Sequence, residues 1–210
     1  MVWMGSVFYV CASDWDLEYW QYWNLTNWQC GKYRFYSIGE ARLNRHLSKF
    51  YYMRLAGNFA YSPFTFLDLE AHYSYIHSKS RGAKNFTVKS RYELEINPVY
   101  TFQSGVELRW RNRLEMIKKQ AISEMRWLFR HRLMMVFPLE NCGRLKTFYM
   151  FDEVVYDFNM DKFIQNRFTP IGVHFDLGRG NSMEIFFQIR NFHSYGQWYR
   201  SFDLASQIFF

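Results

Sequence analysis

From about residue 16 to the last residue, apolar and polar side chains exchange places at nearly every position, segment after segment. Residues 86–96 show it best: Phe86, Val88, Tyr92, Leu94 and Ile96 fall on one parity, and Thr87, Lys89, Arg91, Glu93 and Glu95 on the other. A period of two specifies strands with one apolar and one wet face. The direction of the charged face then decides the fold. If it points out, the apolar faces of many long strands have to share one sandwich core; if it points in, those faces need lipid.

Turn chemistry and parity divide the chain into about eleven strands, at approximately 16–28, 32–45, 50–62, 66–77, 85–102, 106–118, 122–138, 145–158, 163–177, 182–193 and 199–210. Most exceed the roughly five or six residues of soluble strands and reach the roughly nine to eleven that a tilted membrane strand needs. Connections at 29–31, 62–65, 103–105 and 178–181 are tight, whereas 77–84 and 118–121 are longer or more polar. Short turns on one side and longer loops on the other mark an up-and-down outer-membrane barrel, its short side toward the periplasm. Composition agrees: aromatic residues make up 22% of the chain, more than a soluble domain needs. No run of about 18 apolar residues supplies a membrane helix, but a mean hydropathy of −0.34 fits a membrane barrel, in which half of each strand serves a polar interior.

The sixth segment places Leu108, Trp110, Leu114 and Met116 on one face and Glu107, Arg109, Arg111, Arg113 and Glu115 on the other. The seventh sets Met125, Trp127, Phe129, Leu133 and Met135 against Glu124, Arg126, Arg130 and Arg132. Glu40, Arg42, Arg54, Glu70, Arg91, Glu93, Glu95, Glu153 and Arg167 join the same charged face from other segments. The two signs nearly cancel there. A confined interior requires that balance, because an unpaired buried charge is costly, and a solvated surface does not. The expected fold is all-β, an up-and-down antiparallel transmembrane β-barrel of about 10–12 strands. It covers residues 13–210, in the bacterial outer membrane, with a densely charged and largely filled lumen.

Residues 2–10 are mostly apolar, and Val10-Cys11-Ala12 before Ser13 has the small-residue pattern of a secretory cleavage site. Residues 1–12 therefore read as the remnant of an export signal, with an extra strand as the alternative. At the other end, alternate apolar residues and a terminal Phe210 resemble the assembly signal of outer-membrane proteins. The partners expected are outer-membrane lipid and the barrel-assembly machinery. Nucleic acid is not expected despite a formal charge of +7, since the basic residues alternate with apolar ones and lie among acidic ones. An odd strand count conflicts with the even numbers usual for exported single-chain barrels. A twelfth strand within residues 2–12, an N-terminal segment threading the lumen, or a miscount at Pro98 in the fifth segment would each repair it. Cys30 and Cys142 fall in turns several strands apart, where no bond between them is expected.

Several local motifs recur in a known order. Phe151-Asp-Glu-Val-Val-Tyr-Asp-Phe158 is followed by Lys162-Phe-Ile-Gln-Asn-Arg167 and Gly172-Val-His-Phe175; upstream lie Trp20-x-x-Trp23, Glu40-x-Arg42, and Arg109 to Glu115 followed by Trp127 to Arg132. Their order and spacing resemble a bacterial outer-membrane barrel family catalogued as domain of unknown function 2490. That resemblance implies location and architecture and supplies no activity. Pro170, inside the ninth segment, departs from it and removes a ladder donor.

The arginines of the sixth and seventh segments are the sharpest chemical feature. On adjacent antiparallel strands Arg109, Arg111, Arg113, Arg126, Arg130 and Arg132 share one wall, as an anion-selective constriction or as structural ion pairs that fill the barrel. The second is favoured, because opposite charges are as numerous. The protein is thus read as structural or as a narrow channel that prefers anions, with no cofactor. Rival readings are a lipid-modifying hydrolase built on Glu70, His72 and Ser74, which are neighbours on one strand, and a soluble β-rich protein. A basic helix over 106–138 is the remaining rival; the alternation on either side of 118–121 is stricter than the helical period. No spacing of His or Cys suits a metal, and His131 and His174 are placed on the outer face.

Overall fold

The computed structural model describes residues 15–210 apart from Arg45, residues 80–82, Lys84, Ala121 and Tyr195. The alternating segments form β1 (Trp15–Cys30), β2 (Tyr33–Asn44), β3 (Lys49–Phe64), β4 (Leu67–Ser78), β5 (Thr87–Thr101) and β6 (Glu107–Lys119). They continue as β7 (Met125–Pro138), β8 (Leu145–Asp157), β9 (Lys162–Gly178), β10 (Asn181–Ser194) and β11 (Gln197–Phe209). No described residue is helical, so 106–138 is two strands and a turn. Each strand pairs antiparallel with its chain neighbours, and the sheet closes into a barrel with β1 beside β11. β5 runs through Pro98 as one strand; the β5·β6 ladder passes from Ile96↔Asn112 to Val99↔Arg109, so the missing proline donor falls in the gap.

Closure resolves the odd count. β1 and β11 run parallel, in register from Trp15↔Arg200 to Asn24↔Phe209, so no further strand lies between them. The seam continues at Phe210, whose N–H donates to the Asn24 carbonyl at 2.9 Å and whose carbonyl accepts from Thr26 N–H at 3.1 Å. The export-signal and extra-strand readings of residues 1–12 lie outside the described residues. At the end where β11 finishes, β1–β2, β3–β4 and β9–β10 are joined by two-residue turns, and the longest connection, between Ser78 and Thr87, is at the opposite end.

The charged parity faces in. Glu93, Glu115, Glu153 and Asp203 are buried, while Leu55, Tyr73, Leu94, Leu133, Ile171 and Leu204 project from the outer wall of six different strands. An apolar surface that continues round a closed barrel has no partner in water and suits lipid. Not every aromatic faces out. Trp20, Tyr149, Phe151 and Phe186 form a buried cluster inside the barrel, with Tyr22 and Met134 against it. Of the Trp20-x-x-Trp23 pair, one ring is thus inside and the other out.

Pro170 marks a β-bulge. Tyr149 pairs with Gly172 and Phe151 with Thr169, while on the other side Phe187 pairs with Ile171 and Ile189 with Phe168. One extra residue in β9 reverses its parity. Arg167 and Thr169 face the lumen, Ile171 faces out, and Gly172 and His174 face in. The expected outer position of His174 is therefore corrected: its Nδ1 lies 3.4 Å from Glu184 on the inner wall. His131 does face out, its Nδ1 2.8 Å from Asn112 Oδ1. The bulge also permits a close approach, because a Cβ on Gly172 would overlap the Tyr149 ring that lies over it.

Candidate functional site: an arginine-lined chamber

Register brings like charges together. On β6 and β7, Arg111 lies opposite Arg132 and Arg113 opposite Arg130. The row through Arg111 and Arg132 continues to Glu153 on β8, Arg167 on β9 and Arg190 on β10, so five consecutive strands present four guanidinium groups and one carboxylate in one register row, which the strand tilt carries from near the C-terminal mouth toward the other end. Directly opposed like charges are unfavourable unless counter-charges intervene. Glu153 is that counter-charge here: fully buried, it meets Arg130 at 3.3 Å, Arg132 at 3.0 Å, Arg167 at 3.2 Å, and Arg111.

The neighbouring levels extend the network. Glu115 meets Arg130 at 2.6 Å and Arg113 at 3.6 Å; Glu93 meets Arg113 at 2.7 Å, Arg91 at 3.3 Å and Arg54 at 3.7 Å. Glu40 holds Arg54 at 2.7 Å and pairs with Arg42, and Arg113 also pairs with Glu95. A cavity of about 160 Å³ is lined by Arg42, Arg54, Arg91, Arg111, Arg113, Arg130, Arg132 and Arg167, with aromatic walls from Tyr22, Tyr149, Phe151 and Phe186. Its carboxylate lining is Glu40 and Glu184, the latter accepting from the Tyr149 hydroxyl at 3.2 Å. A second cavity, of about 390 Å³, runs from Thr65 and Glu107 beside the turns at the C-terminal end to Arg111, Arg132 and Met134, which line both. Toward the other end the lumen is stoppered. Arg190 bridges Glu18 at 2.7 Å and Asp203 at 3.1 Å, Tyr51 donates to Glu18 at 2.5 Å, and Gln188 to Asp203 at 2.7 Å.

Most of the predicted charges meet in this network: Glu40, Arg42, Arg54, Arg91, Glu93, Glu95, Arg111, Arg113, Glu115, Arg130, Arg132, Glu153 and Arg167. Glu70 joins through His72, whose Nε2 lies 3.2 Å from both Glu70 and Glu95. Four others are corrected to the barrel mouths. Glu107 and Arg109 pair with each other at 2.5 Å while substantially exposed, Arg126 reaches Asp157 at 2.5 Å from an exposed position, and Glu124 is exposed in the β6–β7 connection. Strand ends outrun the confined interior, so parity persists there after burial has stopped. Alternation also missed Glu18 and the aromatic wall. Trp20 shares the inward parity of Glu18 and Asn24; its Nε1 donates to Glu18 at 2.9 Å, and Arg42 stacks 3.7 Å over its ring.

The hydrolytic set does not assemble. Ser74 donates to Glu93 at 3.2 Å, while His72 faces Glu70, Glu95 and Asn58. Linear spacing gave no metal set, yet the fold brings ligand atoms of Glu70, His72 and Glu95 within 4.8 Å of one another. The Arg113 guanidinium on Glu95 already supplies the positive charge that a cation would bring, so the trio reads as part of the ion-pair network. The thiols of Cys30 and Cys142 are free and exposed.

The profile of a family described as protein of unknown function, DUF2490, matches residues 17–200. The chain belongs to that family. Among solved structures, this DUF2490 protein is similar in fold to the β domain of the Bordetella autotransporter BrkA, with a TM-score of 0.53 and 11% identity over 85% of this chain and 82% of that one. No curated protein matches it. Two of the segments that carried the DUF2490 resemblance, 151–158 and 162–167, pair with each other: Glu153↔Arg167 meet inside the barrel at 3.2 Å, and Asp152 accepts from Asn166 at 2.7 Å on the outside.

Proposed function

We propose that this DUF2490 protein is an outer-membrane barrel with a filled, ion-paired lumen, structural in character and passing at most a small current carried by anions. The observation that carries the reading is the pair of buried ties on the inner wall: Glu153 joins arginines of β6, β7 and β9, and Glu18 on β1 joins Tyr51 of β3 to Arg190 of β10. Together these ties engage strands all round the small barrel and fill the space that a porin-sized passage would need, and the excess of arginine around Glu153 favours anions over cations. The apolar outer wall and the likeness to an autotransporter β domain support outer-membrane lipid as its solvent. Phe210, at the end of the seam strand, then serves as the signal read by the barrel-assembly machinery. The test is mobility on a denaturing gel with and without boiling, on protein from the outer-membrane fraction, followed by planar-bilayer recording. A faster unboiled band with no conductance, or small anion-preferring steps, is expected. Large or cation-selective steps would overturn the filled lumen, and a soluble protein without a mobility shift would overturn the membrane barrel.

A further inference from the structure

We infer that the arginine-lined chamber is a binding site for one small, multiply charged oxyanion of the phosphate kind, admitted from the end of the barrel that carries the C-terminus. This goes beyond the location and conductance of the barrel and does not depend on either. The first ground is charge. Among the described residues, the eight arginines that line the chamber form ion pairs with only five carboxylates, leaving three more guanidinium groups than carboxylates, and two more when Glu184 at the rim is included. Glu153 alone is shared by four of them. A surplus of buried like charge calls for a counter-ion, and a dianion matches its size.

The second ground is unsatisfied donors. The Nε of Arg167, a residue 9% exposed, has no hydrogen-bond partner, and neither have those of Arg111 and Arg113, which line the same cavity. Guanidinium forks present paired N–H groups that suit a tetrahedral oxyanion better than a spherical halide. Arg132 is held ready by stacking 4.0 Å over Phe151. The third ground is space and access. A volume of about 160 Å³ exceeds that of a few waters and accepts a phosphate without rearranging the wall. The larger cavity that begins at Thr65 and Glu107 reaches Arg111 and Arg132 from the C-terminal mouth, while Arg190 with Glu18 and Asp203 closes the far side.

The experiment uses the whole barrel in an uncharged detergent free of phosphate. Calorimetric titration with inorganic phosphate at constant ionic strength, set by sodium chloride, is expected to show saturable binding at one site. The temperature at which the fast-migrating band is lost is expected to rise by several degrees in phosphate over chloride. Combining R132Q with R167Q leaves Glu153 its Arg111 and Arg130, so the variant is expected to keep its fast band in chloride, with an unchanged or higher unfolding temperature, and to lose the phosphate gain. R132K keeps the charge and removes the fork, and should weaken phosphate several-fold. Glycerol phosphate, titrated alongside, separates the sources: equal or weaker binding assigns a free ion, tighter binding a lipid headgroup, and both support the site. No heat or stabilisation beyond chloride in the unsubstituted protein, or a gain undiminished in R132K, would overturn the proposal. Because binding is read in detergent, its failure is separate from any failure of membrane location or conductance.

Discussion

Glu153 sets the energetic character of the interior, since four guanidinium groups converge on one buried carboxylate. Neutralising it leaves those groups without their shared partner. E153Q is expected to destabilise the barrel by about 3–5 kcal/mol, the range for breaking a buried ion pair, measured by urea unfolding in detergent micelles. Arg111→Gln should cost much less, because Glu153 then still meets Arg130, Arg132 and Arg167. A second residue-scale test concerns the Tyr149 ring lying over Gly172. Gly172→Ala forces that buried ring aside, at an expected cost of about 1–3 kcal/mol for overpacking. The ring is also held by its hydroxyl on Glu184, which limits its escape. Adding the alanine to a Tyr149→Ala background should cost almost nothing further, so a double-mutant cycle that found the two changes additive would refute the contact.

At the scale of strands, the alternation was legible almost everywhere: the observed bounds differ from those read from the sequence by at most three residues. That success has a local cause, because period-two patterning and turn residues both act within a strand and its next neighbour. Two features escaped because their cause is not local. Pro170 announced a missing donor, but whether it turns the rest of β9 over depends on the registers of both β8 and β10. The parallel seam is invisible for the same reason, since it joins residues at opposite ends of the chain. It makes a direct prediction. Trp23 and Ile208 are register partners across the seam, so W23C combined with I208C, in a background with Cys11, Cys30 and Cys142 replaced by serine, should oxidise to an internal bond. The bond should keep the heated protein compact on a gel until reductant is added; its failure to form would mean that something else lies between β1 and β11.

For the molecule as a whole, the identity of the lumen charges was mostly legible from parity, whereas their imbalance was not. Counted over the whole face the signs nearly cancel, but the pairing of β6 to β9 gathers Arg111, Arg130, Arg132 and Arg167 on a single Glu153. The aromatic wall was hidden by residue type and not by parity, because Trp20, Phe151 and Phe186 are apolar residues that share the inward parity of Glu18, Glu153 and Glu184 on their own strands. The orientation that the proposed outer-membrane placement implies is testable with the native thiols, since Cys30, at the end of β1, and Cys142, in the β7–β8 connection, are exposed at the end of the barrel where β11 finishes. In cells carrying C11S, a membrane-impermeant maleimide should label them only after the outer membrane is opened; labelling of intact cells would turn the barrel the other way up. The odd number of strands also limits how the molecule can be re-engineered. In an even-stranded barrel the first strand starts and the last strand finishes on the same rim, and a short linker can join those two ends while new ends are cut elsewhere. Here Trp15 lies beside Arg200 and Phe209 beside Asn24, nine residues farther along, so a circularly permuted version would need a linker long enough to travel roughly 30 Å from one rim to the other.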